Sequence, residues 1–439
     1  MTDDGPVYYV ISDLHIGGDE QLEEVEFLDE LLEFLQALAD SDEAAELIIN
    51  GDAFGLWEFT GVEGSAKFDI LLETYPRLFE QLQRTGETVP ITLLPGNHDH
   101  ELAAYDTYTE RFAEYNVDLV VQESMIREIG EHAIWFEHGH QRDSNNRYED
   151  FGNPHEKPLG YHYNTRVISR AGQLSDRGRF NWLKDIQAVT PTQRIGSWFV
   201  SKYFYREMNP VLRYAAVPFL LLFNISVLLA ILAGLDLAGI WSMPVNRTEA
   251  FLGQYGLAGA AVWTFLSINV AVAGLLVLVG TPLYLYVRDF RMTIDRFGVF
   301  ETPLTVDPNE PYADAARNIF AEHPDVTVFC YGHTHRPTLR SVDGGLLVNS
   351  GTWLKRLHRR EVIAGVLPPV FYPSYQLGAV RISSPGSEVH VEFVEIEKPS
   401  PKSEELTMTE RLLTLGRAPS GELPGDAVVD NNGPRVLTD

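Results

Sequence analysis

Five short apolar runs, each followed by polar residues, constrain the fold of this chain most strongly. They are Val7 to Ser12, Glu46 to Asn50, Val89 to Pro95, Ala133 to Glu137 and Val326 to Tyr331. Runs of this length next to turn residues are typical of buried strands with functional loops at their ends. Leu22 to Leu38 and Leu71 to Leu82 carry apolar residues at helical spacing. The alternation predicts an α/β domain.

The residues that follow these runs are of the types that bind metal ions. Asp13-Leu14-His15 offers a carboxylate and an imidazole, and Gly51-Asp52 offers a carboxylate that can bridge two ions. Gly96-Asn97-His98-Asp99 adds an amide oxygen, an imidazole able to meet a phosphate, and a carboxylate able to orient that imidazole. His138-Gly139-His140 and Gly332-His333-Thr334-His335 supply nitrogen ligands. The ordered set predicts a centre for divalent metal ions.

These five motifs resemble the ordered blocks of the calcineurin-like metallophosphoesterase family, over Val7 to about Asp150 and about Asp325 to Val394. The resemblance implies a sandwich of two mixed β-sheets flanked by helices. It also implies two metal ions, one held by Asp13, His15, Asp52 and His335, the other by Asp52, Asn97, His138 and His333. For His140, a ligand role and a supporting role both stay open.

The same resemblance implies hydrolysis of a phosphoester or pyrophosphate bond by a metal-activated water. His98, oriented by Asp99, would stabilise charge on the phosphoryl group or protonate the leaving oxygen. Mn²⁺ is the expected metal, and Mg²⁺, Fe²⁺, Zn²⁺ or Co²⁺ are alternatives. Arg142, Asn145 and Arg336 lie close to the metal motifs and are the expected substrate contacts.

Within the family, two segments look like the UDP-2,3-diacylglucosamine pyrophosphatase branch, which cleaves a pyrophosphate in a nucleotide-linked lipid. They are the run from Gly51 to Glu58 and the run from Gly332 to Pro337. The best-known members of that branch carry arginine at the position of His98 and have no obvious pair of membrane spans. The substrate is therefore not carried over from the resemblance.

Charge limits the class of partner. The chain of 439 residues has 62 acidic and 34 basic residues and a formal net charge of −28, which argues against binding nucleic acid through a general basic surface. Lysine is scarce beside arginine and the acids are spread along the chain, a balance that predicts a halophilic protein. Cys330 is the only cysteine, so an intrachain disulfide is excluded.

Residues 156–213 reverse this charge balance, with ten Lys or Arg against four acids and with aromatic residues interleaved. The segment is predicted to be an insertion that forms a lid or lies at a membrane interface, where it could collect anionic headgroups above the site. Alternatively, its arginines pair with acids of the same chain or anchor a membrane interface.

Two long stretches without charge follow. Tyr214 to Leu235 and Ala250 to Val287 contain no charged residue, and each exceeds the roughly 20 residues that cross a bilayer. They predict an inserted two-helix transmembrane hairpin, and apolar lid helices of a soluble protein are the alternative. Basic residues flank the pair, whereas the loop between has only Arg247, which predicts a multi-pass membrane protein with a cytoplasmic catalytic domain.

The predicted organisation is therefore a metallophosphoesterase domain in two parts, residues 1–155 and 288–396, around the insertion 156–213 and the hairpin 214–287. Residues 397–439 are predicted to be a flexible acidic tail with one short helix at Leu406 to Leu415. The expected function is hydrolysis of a lipid- or nucleotide-linked substrate at the inner membrane face. The alternatives are a membrane-tethered phosphodiesterase or phosphatase for soluble substrates, and a non-catalytic scaffold with this fold.

Overall fold

A computed structural model describes residues 5–19, 24–177, 181–189, 194–213, 231–232, 235, 238–240, 245–296, 310–362, 365, 367–399, 406–415, 423–430 and 433–437. Two compact units divide the chain. The first comprises Met1–Phe199, Pro308–Arg360 and Phe371–Asp439, and the second comprises Val200–Asp307 and Glu361–Val370. All of the predicted metal ligands belong to the first unit.

The strands, in chain order, are β1 (Val7–Ile11), β2 (Ala45–Asn50), β3 (Ile91–Leu94), β4 (Val117–Leu119), β5 (Ser124–Ile129), β6 (His132–Glu137), β7 (Val326–Tyr331), β8 (Thr338–Val342), β9 (Gly345–Asn349), β10 (Arg356–Val362), β11 (Leu367–Ser374), β12 (Leu377–Ser383), β13 (Val389–Ile396), β14 (Ala427–Asp430) and β15 (Gly433–Val436). Eight of them form a sheet in the order β15-β14-β13-β12-β1-β2-β3-β4, and five form a sheet in the order β5-β6-β7-β9-β8. β10 and β11 form a two-stranded sheet.

Both large sheets are mixed, as predicted. β1 to β4 run parallel, and β12 joins β1 antiparallel. In the second sheet β6, β7 and β9 are parallel, whereas β5 and β8 are antiparallel to their neighbours. Inward-facing side chains of both sheets share one buried core that includes Val10, Ile48, Phe136 and Val328. The strands are almost continuously apolar because parallel strands are covered on both faces.

Helices cover the outer faces. In the first unit they are Leu28–Ala39, Ala66–Thr74, Pro76–Thr85, Asp106–Ala113, Glu310–Glu322 and Met408–Leu413. Leu31 and Leu35 of the first helix lie in the core beneath the eight-stranded sheet, as their spacing predicts. The single helix predicted over Leu71 to Leu82 is two helices, because Pro76 lacks the N–H that would continue the first and suits the first turn of the second.

The inserted segment of the first unit is also helical. Leu159–Tyr163 and Ser169–Leu174 are α-helices joined by a π-helical turn at Asn164–Ile168, and we call this continuous run the lid helix. Short 3₁₀ turns follow at Ser175–Arg177 and Leu183–Ala188, and the helix Ile195–Lys202 comes after them. Trp182 and Trp198 pack edge to face in a small core of their own.

The described part of the C-terminal segment corrects one prediction. The expected helix is present at Met408–Leu413, but the rest is not a simple flexible tail. β14 pairs with β13, and β15 pairs with β14, so that both extend the first sheet. The strands form because Ala427, Val428 and Val429 are apolar and become buried. The acidic composition averaged over the whole segment conceals this short apolar run.

The second unit contains the helices Val245–Gly253 and Gly256–Arg296 and a π-helical turn at Tyr203–Glu207. The stretch Gly256–Asp289 is long and apolar enough to cross a membrane, with a mean hydropathy of 2.3, and it is the one such helix among the described residues. Pro282 lies inside it without ending it. The other predicted span, Tyr214 to Leu235, lies almost wholly outside the described residues, so the two-helix hairpin stays a prediction.

Candidate metal centre

The predicted ligands meet at one edge of the sandwich. β1, β2 and β3 are neighbouring parallel strands, so the loops that carry Asp13, Asp52 and Asn97 leave the same edge of the first sheet. β6 and β7 are parallel neighbours in the second sheet and bring His138 and His333 to their own common edge. The buried core between the sheets holds these two sets of loops together.

The backbone of these loops is strained where ligands occur. Asp13, His15, Asp52, His333 and His335 all have positive φ, at 53°, 47°, 52°, 66° and 57°. Residues with a side chain rarely adopt this conformation, and such strain concentrates at functional sites. The loops therefore turn the five side chains inward at a cost in backbone energy that the rest of the fold supports.

Two glycines allow the loops to approach one another. Gly51 has a φ of +86°, and a Cβ atom on it would collide with the ring of His138. A Cβ atom on Gly96 would collide with the backbone and carboxylate of Asp52. Any larger residue at either position would push a predicted ligand out of place.

Asp13, His15 and His335 form one group that could hold a metal ion. His335 Nε2 lies 3.2 Å from Asp13 Oδ1, and the Nε2 atoms of His15 and His335 are 3.1 Å apart. His15 Nε2 is also 3.6 Å from Asp52 Oδ2. Two imidazole nitrogens that converge on carboxylate oxygens form a donor set suited to a divalent transition metal.

Asp52, His138 and His333 form a second such group. His138 Nδ1 donates to the Asn50 carbonyl at 2.9 Å, which leaves Nε2, a buried atom with no hydrogen-bond partner among the described residues, 3.2 Å from Asp52 Oδ2. His333 Nδ1 lies 2.9 Å from Asn97 Oδ1. A histidine that binds a metal ion typically has one ring nitrogen fixed by the protein and the other directed at the ion. His138 has this arrangement.

A carboxylate that the sequence analysis did not single out supports His333. Asp143 Oδ2 lies 3.1 Å from His333 Nε2, so that the ring can donate its Nε2–H to Asp143 and present Nδ1 to an ion. Burial opposes the charge of Asp143, but His333 holds its pKa well below the usual range. In the sequence, the only feature of Asp143 that indicated this role was its position in a strand-end loop, three residues after His140.

The electrostatics of the cluster favour a cation. Burial would lower the pKa of His138, yet Asp52 and Asp13 raise it to about 10. Burial would raise the pKa of Asp52, yet His138 and His98 hold it well below its usual value. Fully buried carboxylates thus draw positive charge into the centre, and divalent ions coordinated by these residues would meet the same demand.

His98 is oriented by Glu58, which corrects the role predicted for Asp99. His98 Nδ1 lies 2.9 Å from Glu58 Oε1, and the Trp57 ring packs against the imidazole at 4.3 Å between centroids. Both oxygens of Asp99 instead accept backbone N–H groups, from Gly96 and Asp52 on one oxygen and from Phe54 on the other. Asp99 thus holds two ligand loops together, and Glu58 is the carboxylate that contacts the ring.

The Glu58 contact also changes the charge of His98. Burial alone would lower the pKa of the imidazole, but Glu58 and Asp52 raise it to about 9. A second partner reaches the same carboxylate from the lid helix, because Asn164 Nδ2 donates to Glu58 Oε1 at 2.9 Å. Glu58 follows the second motif within its loop, but nothing in the sequence linked it to Asn164.

His140 lies fully buried beside the second group. Its ring centroid is 5.6 Å from that of His138, and neither ring nitrogen has a hydrogen-bond partner in the described part of the chain. Burial, followed by the charges of His138 and His333, lowers its pKa well below the usual value. A neutral ring of this kind fits either of the roles that the sequence left open.

The three predicted substrate contacts have different environments. Arg142 makes a bidentate ion pair with buried Glu137, at 2.8 Å for each contact, and its predicted contact with a substrate stays a prediction. Asn145 lies exposed on the loop of Asp143. Arg336 directly follows His335, and its charge, after burial, lowers the pKa of Arg356 to about 10.

The segment after β9 supports the centre without joining it. Thr352 Oγ1 donates to the Asp13 carbonyl at 2.7 Å, and Asn349 Nδ2 donates to the Gly332 carbonyl at 2.6 Å. Ser350 Oγ lies 2.7 Å from Ser12 Oγ, which in turn donates to the Asp13 carboxylate. These bonds fix the loops of Asp13 and His333, so this segment has a structural role beside the centre.

Comparison with known proteins agrees with this centre. The family model of the calcineurin-like phosphoesterases matches residues 7–228, a little over half of the chain. No curated protein matches the sequence.

Two solved structures align over most of the chain. Vacuolar protein sorting 29 from Cryptosporidium parvum is 11% identical with a TM-score of 0.29, covering 90% of this chain and 94% of that one. A conserved uncharacterized protein from Streptococcus pneumoniae, described as a predicted phosphoesterase, is 10% identical with a TM-score of 0.27, covering 91% and 94%. At TM-scores this low, neither supports a conclusion about fold or function.

Proposed function

The chain belongs to the calcineurin-like phosphoesterase family, and from this premise we propose that it hydrolyses a phosphoester or pyrophosphate bond with two divalent metal ions. The observation that carries the proposal is the position of Asp52 between two ligand groups. One carboxylate oxygen, Oδ2, lies 3.6 Å from His15 Nε2 and 3.2 Å from His138 Nε2, while Oδ1 accepts the backbone N–H of His98 at 2.7 Å. A carboxylate so placed can bridge two ions, as a two-metal site requires.

In this proposal Asp13, His15, Asp52 and His335 hold one ion, and Asp52, Asn97, His138 and His333 hold the other. When bound, the pair neutralises phosphate charge and makes hydroxide available near neutral pH. Asp143 keeps His333 in the tautomer that binds metal, and the Asn50 carbonyl does the same for His138. Mn²⁺ is the metal we propose, as the resemblance to the family implies, and the carboxylate and amide oxygens of the two sets suit it.

His98 is the residue we propose for the leaving group. Its ring lies 4.4 Å from the His15 ring between centroids, and with His15 and Asp52 it forms a third group of converging side chains that could hold a metal ion. We assign it to the leaving group because its Nδ1 is taken by Glu58. Held as an imidazolium by Glu58, it can stabilise negative charge on the phosphoryl oxygens or protonate the departing oxygen. Trp57 covers the ring and keeps water from the Glu58 contact.

We propose a lipid-linked or nucleotide-linked substrate, as in the UDP-2,3-diacylglucosamine pyrophosphatase branch. The outer face of the lid helix supports this choice. Leu159, Tyr163 and Val167 recur on it at spacings of four residues and are 65%, 39% and 40% exposed. Arg166 and Arg170 are exposed on the same helix. Apolar and basic side chains together suit a surface of anionic lipid.

Membrane attachment belongs to the same proposal. The helix Gly256–Asp289 has the length and hydropathy of a span, and large apolar side chains along it are exposed, among them Leu278 and Tyr284. With the uncharged stretch Tyr214 to Leu235 it would complete a hairpin whose basic flanks face the cytoplasm. The alternative is a tethered enzyme that acts on soluble phosphoesters.

The test uses the full-length chain in detergent, stripped of metal with a chelator and reloaded with Mn²⁺. Hydrolysis of bis-p-nitrophenyl phosphate and of a nucleotide diphospho-lipid is measured for the wild type and for Asp52→Ala. We expect turnover that requires Mn²⁺, is lost in Asp52→Ala and favours the lipid. Equal rates on both substrates would support the tethered alternative, and failure to bind any metal would support the non-catalytic scaffold and defeat the proposal.

A further inference from the structure

The lid helix reaches the candidate catalytic histidine through one hydrogen-bonded chain. Asn164 Nδ2 donates to Glu58 Oε1 at 2.9 Å, and the same oxygen lies 2.9 Å from His98 Nδ1. Asn164 is 7% exposed and Glu58 is 2% exposed, so water does not compete for these bonds. The three residues come from three separate parts of the sequence, and the contact is therefore a feature of the folded site.

The local helix geometry supports a functional role for Asn164. It begins the π-helical turn that interrupts the lid helix at Asn164–Ile168. Turns of this kind re-aim side chains and occur frequently at functional sites. Here the turn leaves Asn164 buried against the second motif loop, while Tyr163 and Val167 on either side of it along the chain remain exposed.

Glu58 depends on this partner for its orientation. Its second oxygen, Oε2, is buried and has no hydrogen-bond partner among the described residues. Two side chains from outside its loop contact Oε1, those of Asn164 and His98, so the lid amide holds the carboxylate in the position from which it orients the imidazole. If the amide were removed, Glu58 could rotate, and the imidazole would lose its fixed direction.

We propose that Asn164 is a positioning residue that sets His98 through Glu58, so that protonation of the leaving group requires the lid helix to be seated. This inference rests on the proposed function and assigns a task to the inserted segment within it. A proton from the His98 ring matters more as the leaving group becomes more basic. The loss of rate on removing Asn164 should therefore grow with the basicity of the leaving group.

The chain offers a matched control. Gln173, on the same helix, donates from Nε2 to Thr60 Oγ1 at 3.2 Å and ties the lid helix to the same loop without touching Glu58. Gln173→Ala therefore removes an exposed amide hydrogen bond between the lid helix and this loop, and Asn164→Ala removes the buried amide hydrogen bond that leads to His98. His98→Asn sets the upper limit of any loss of proton donation.

The experiment compares two methyl aryl phosphates that share the phosphoryl group and differ in leaving group, p-nitrophenolate and the more basic phenolate. We expect Asn164→Ala to lower kcat for the phenyl ester about tenfold more than for the p-nitrophenyl ester, a fraction of the roughly 10²–10⁴ available from acid catalysis. Gln173→Ala should affect the two esters equally. In the His98→Asn background, Asn164→Ala should add nothing.

Two further measurements do not depend on turnover. In the metal-free protein, where no paramagnetic Mn²⁺ broadens the signal, the Nδ1–H proton of His98 should give a downfield NMR resonance that is retained in Gln173→Ala, weakened in Asn164→Ala and lost in Glu58→Gln. Bound metal, measured by elemental analysis, should not change in Asn164→Ala. Equal losses on both esters, or an unchanged resonance, would overturn the positioning role while leaving the phosphoesterase proposal intact. A metal-loaded wild type that cleaves neither ester would overturn both.

Discussion

The strand-end loops and the lid helix meet at the same centre but are held in different ways. In the loops, Asp13, Asp52 and His138 have at most 1% exposure, and their positions follow from neighbouring parallel strands. The lid helix exposes Leu159 and Tyr163 and contacts the centre through single polar bonds such as that of Asn164. Packing between the two sheets thus fixes the ligands, whereas the lid helix packs in a smaller core of its own and reaches the centre through a small number of hydrogen bonds. Variants of the two regions should therefore fail differently.

We expect the largest effect on turnover from Asp52→Asn, because Asp52 lies where the two ligand groups meet. The neutral amide cannot bridge two cations as a carboxylate does. Loss of a residue that only supports a ligand lowers activity by up to about 100-fold, and we expect turnover to fall by more than that here. Bound metal should fall with it. Asp69→Asn, on an exposed helix position, is the control. If the variant kept its full metal content and full activity, Asp52 would not be a metal ligand.

The next variants separate the two carboxylates near His98. Glu58→Gln should lower turnover about 100-fold with bound metal unchanged, because the ring loses the partner that keeps it charged. Asp99→Asn should instead lower the free energy of unfolding by about 1–3 kcal/mol, since backbone N–H groups would face a weaker acceptor. Steady-state kinetics and urea unfolding measure the two. The reverse pattern would restore the role predicted for Asp99.

Whether a contact could be predicted from the sequence depends on how far apart its two residues lie along the chain. The strand-end motifs with their glycines were readable because each lies within a few residues of an apolar run. The pairing of Asp143 with His333 joins residues 190 apart, and that of Asn164 with Glu58 joins residues 106 apart. No periodicity or spacing encodes such contacts. They depend on how the loops pack after the sheets have formed.

The correction at Asp99 has an equally local cause. Its place next to His98 in the sequence predicts a contact with that ring, but its carboxylate accepts three backbone N–H groups instead. Buried N–H groups need an acceptor, and Asp99 supplies it. Arg142 pairs with Glu137, and its contact with a substrate stays a prediction.

A smaller effect, on metal affinity, is expected from Asp143→Asn. The amide cannot accept the His333 Nε2–H as strongly, and loss of such a partner typically weakens metal binding about 10–100-fold. We expect the low end of that range, because Asp143 is partly exposed and water can replace it. Competition with a chromogenic chelator measures the affinity, and Asp150→Asn on the same loop is the control. An unchanged affinity would mean that His333 is oriented by other contacts.

We expect the smallest effect from a variant on the outer face of the lid helix, which is the part of that helix most unlike the buried loops. Arg166→Gln removes one exposed charge, and a basic residue near an anionic surface contributes about 1 kcal/mol, roughly a fivefold change in binding. The rate on a nucleotide diphospho-lipid in anionic vesicles should fall by that factor, while hydrolysis of bis-p-nitrophenyl phosphate should not change. Arg147→Gln, with 56% of its side chain exposed elsewhere in the unit, is the matched control. Equal rates for both variants on the lipid would show that the lid helix does not meet the membrane surface, and its basic residues would then belong to the fold of the insertion alone.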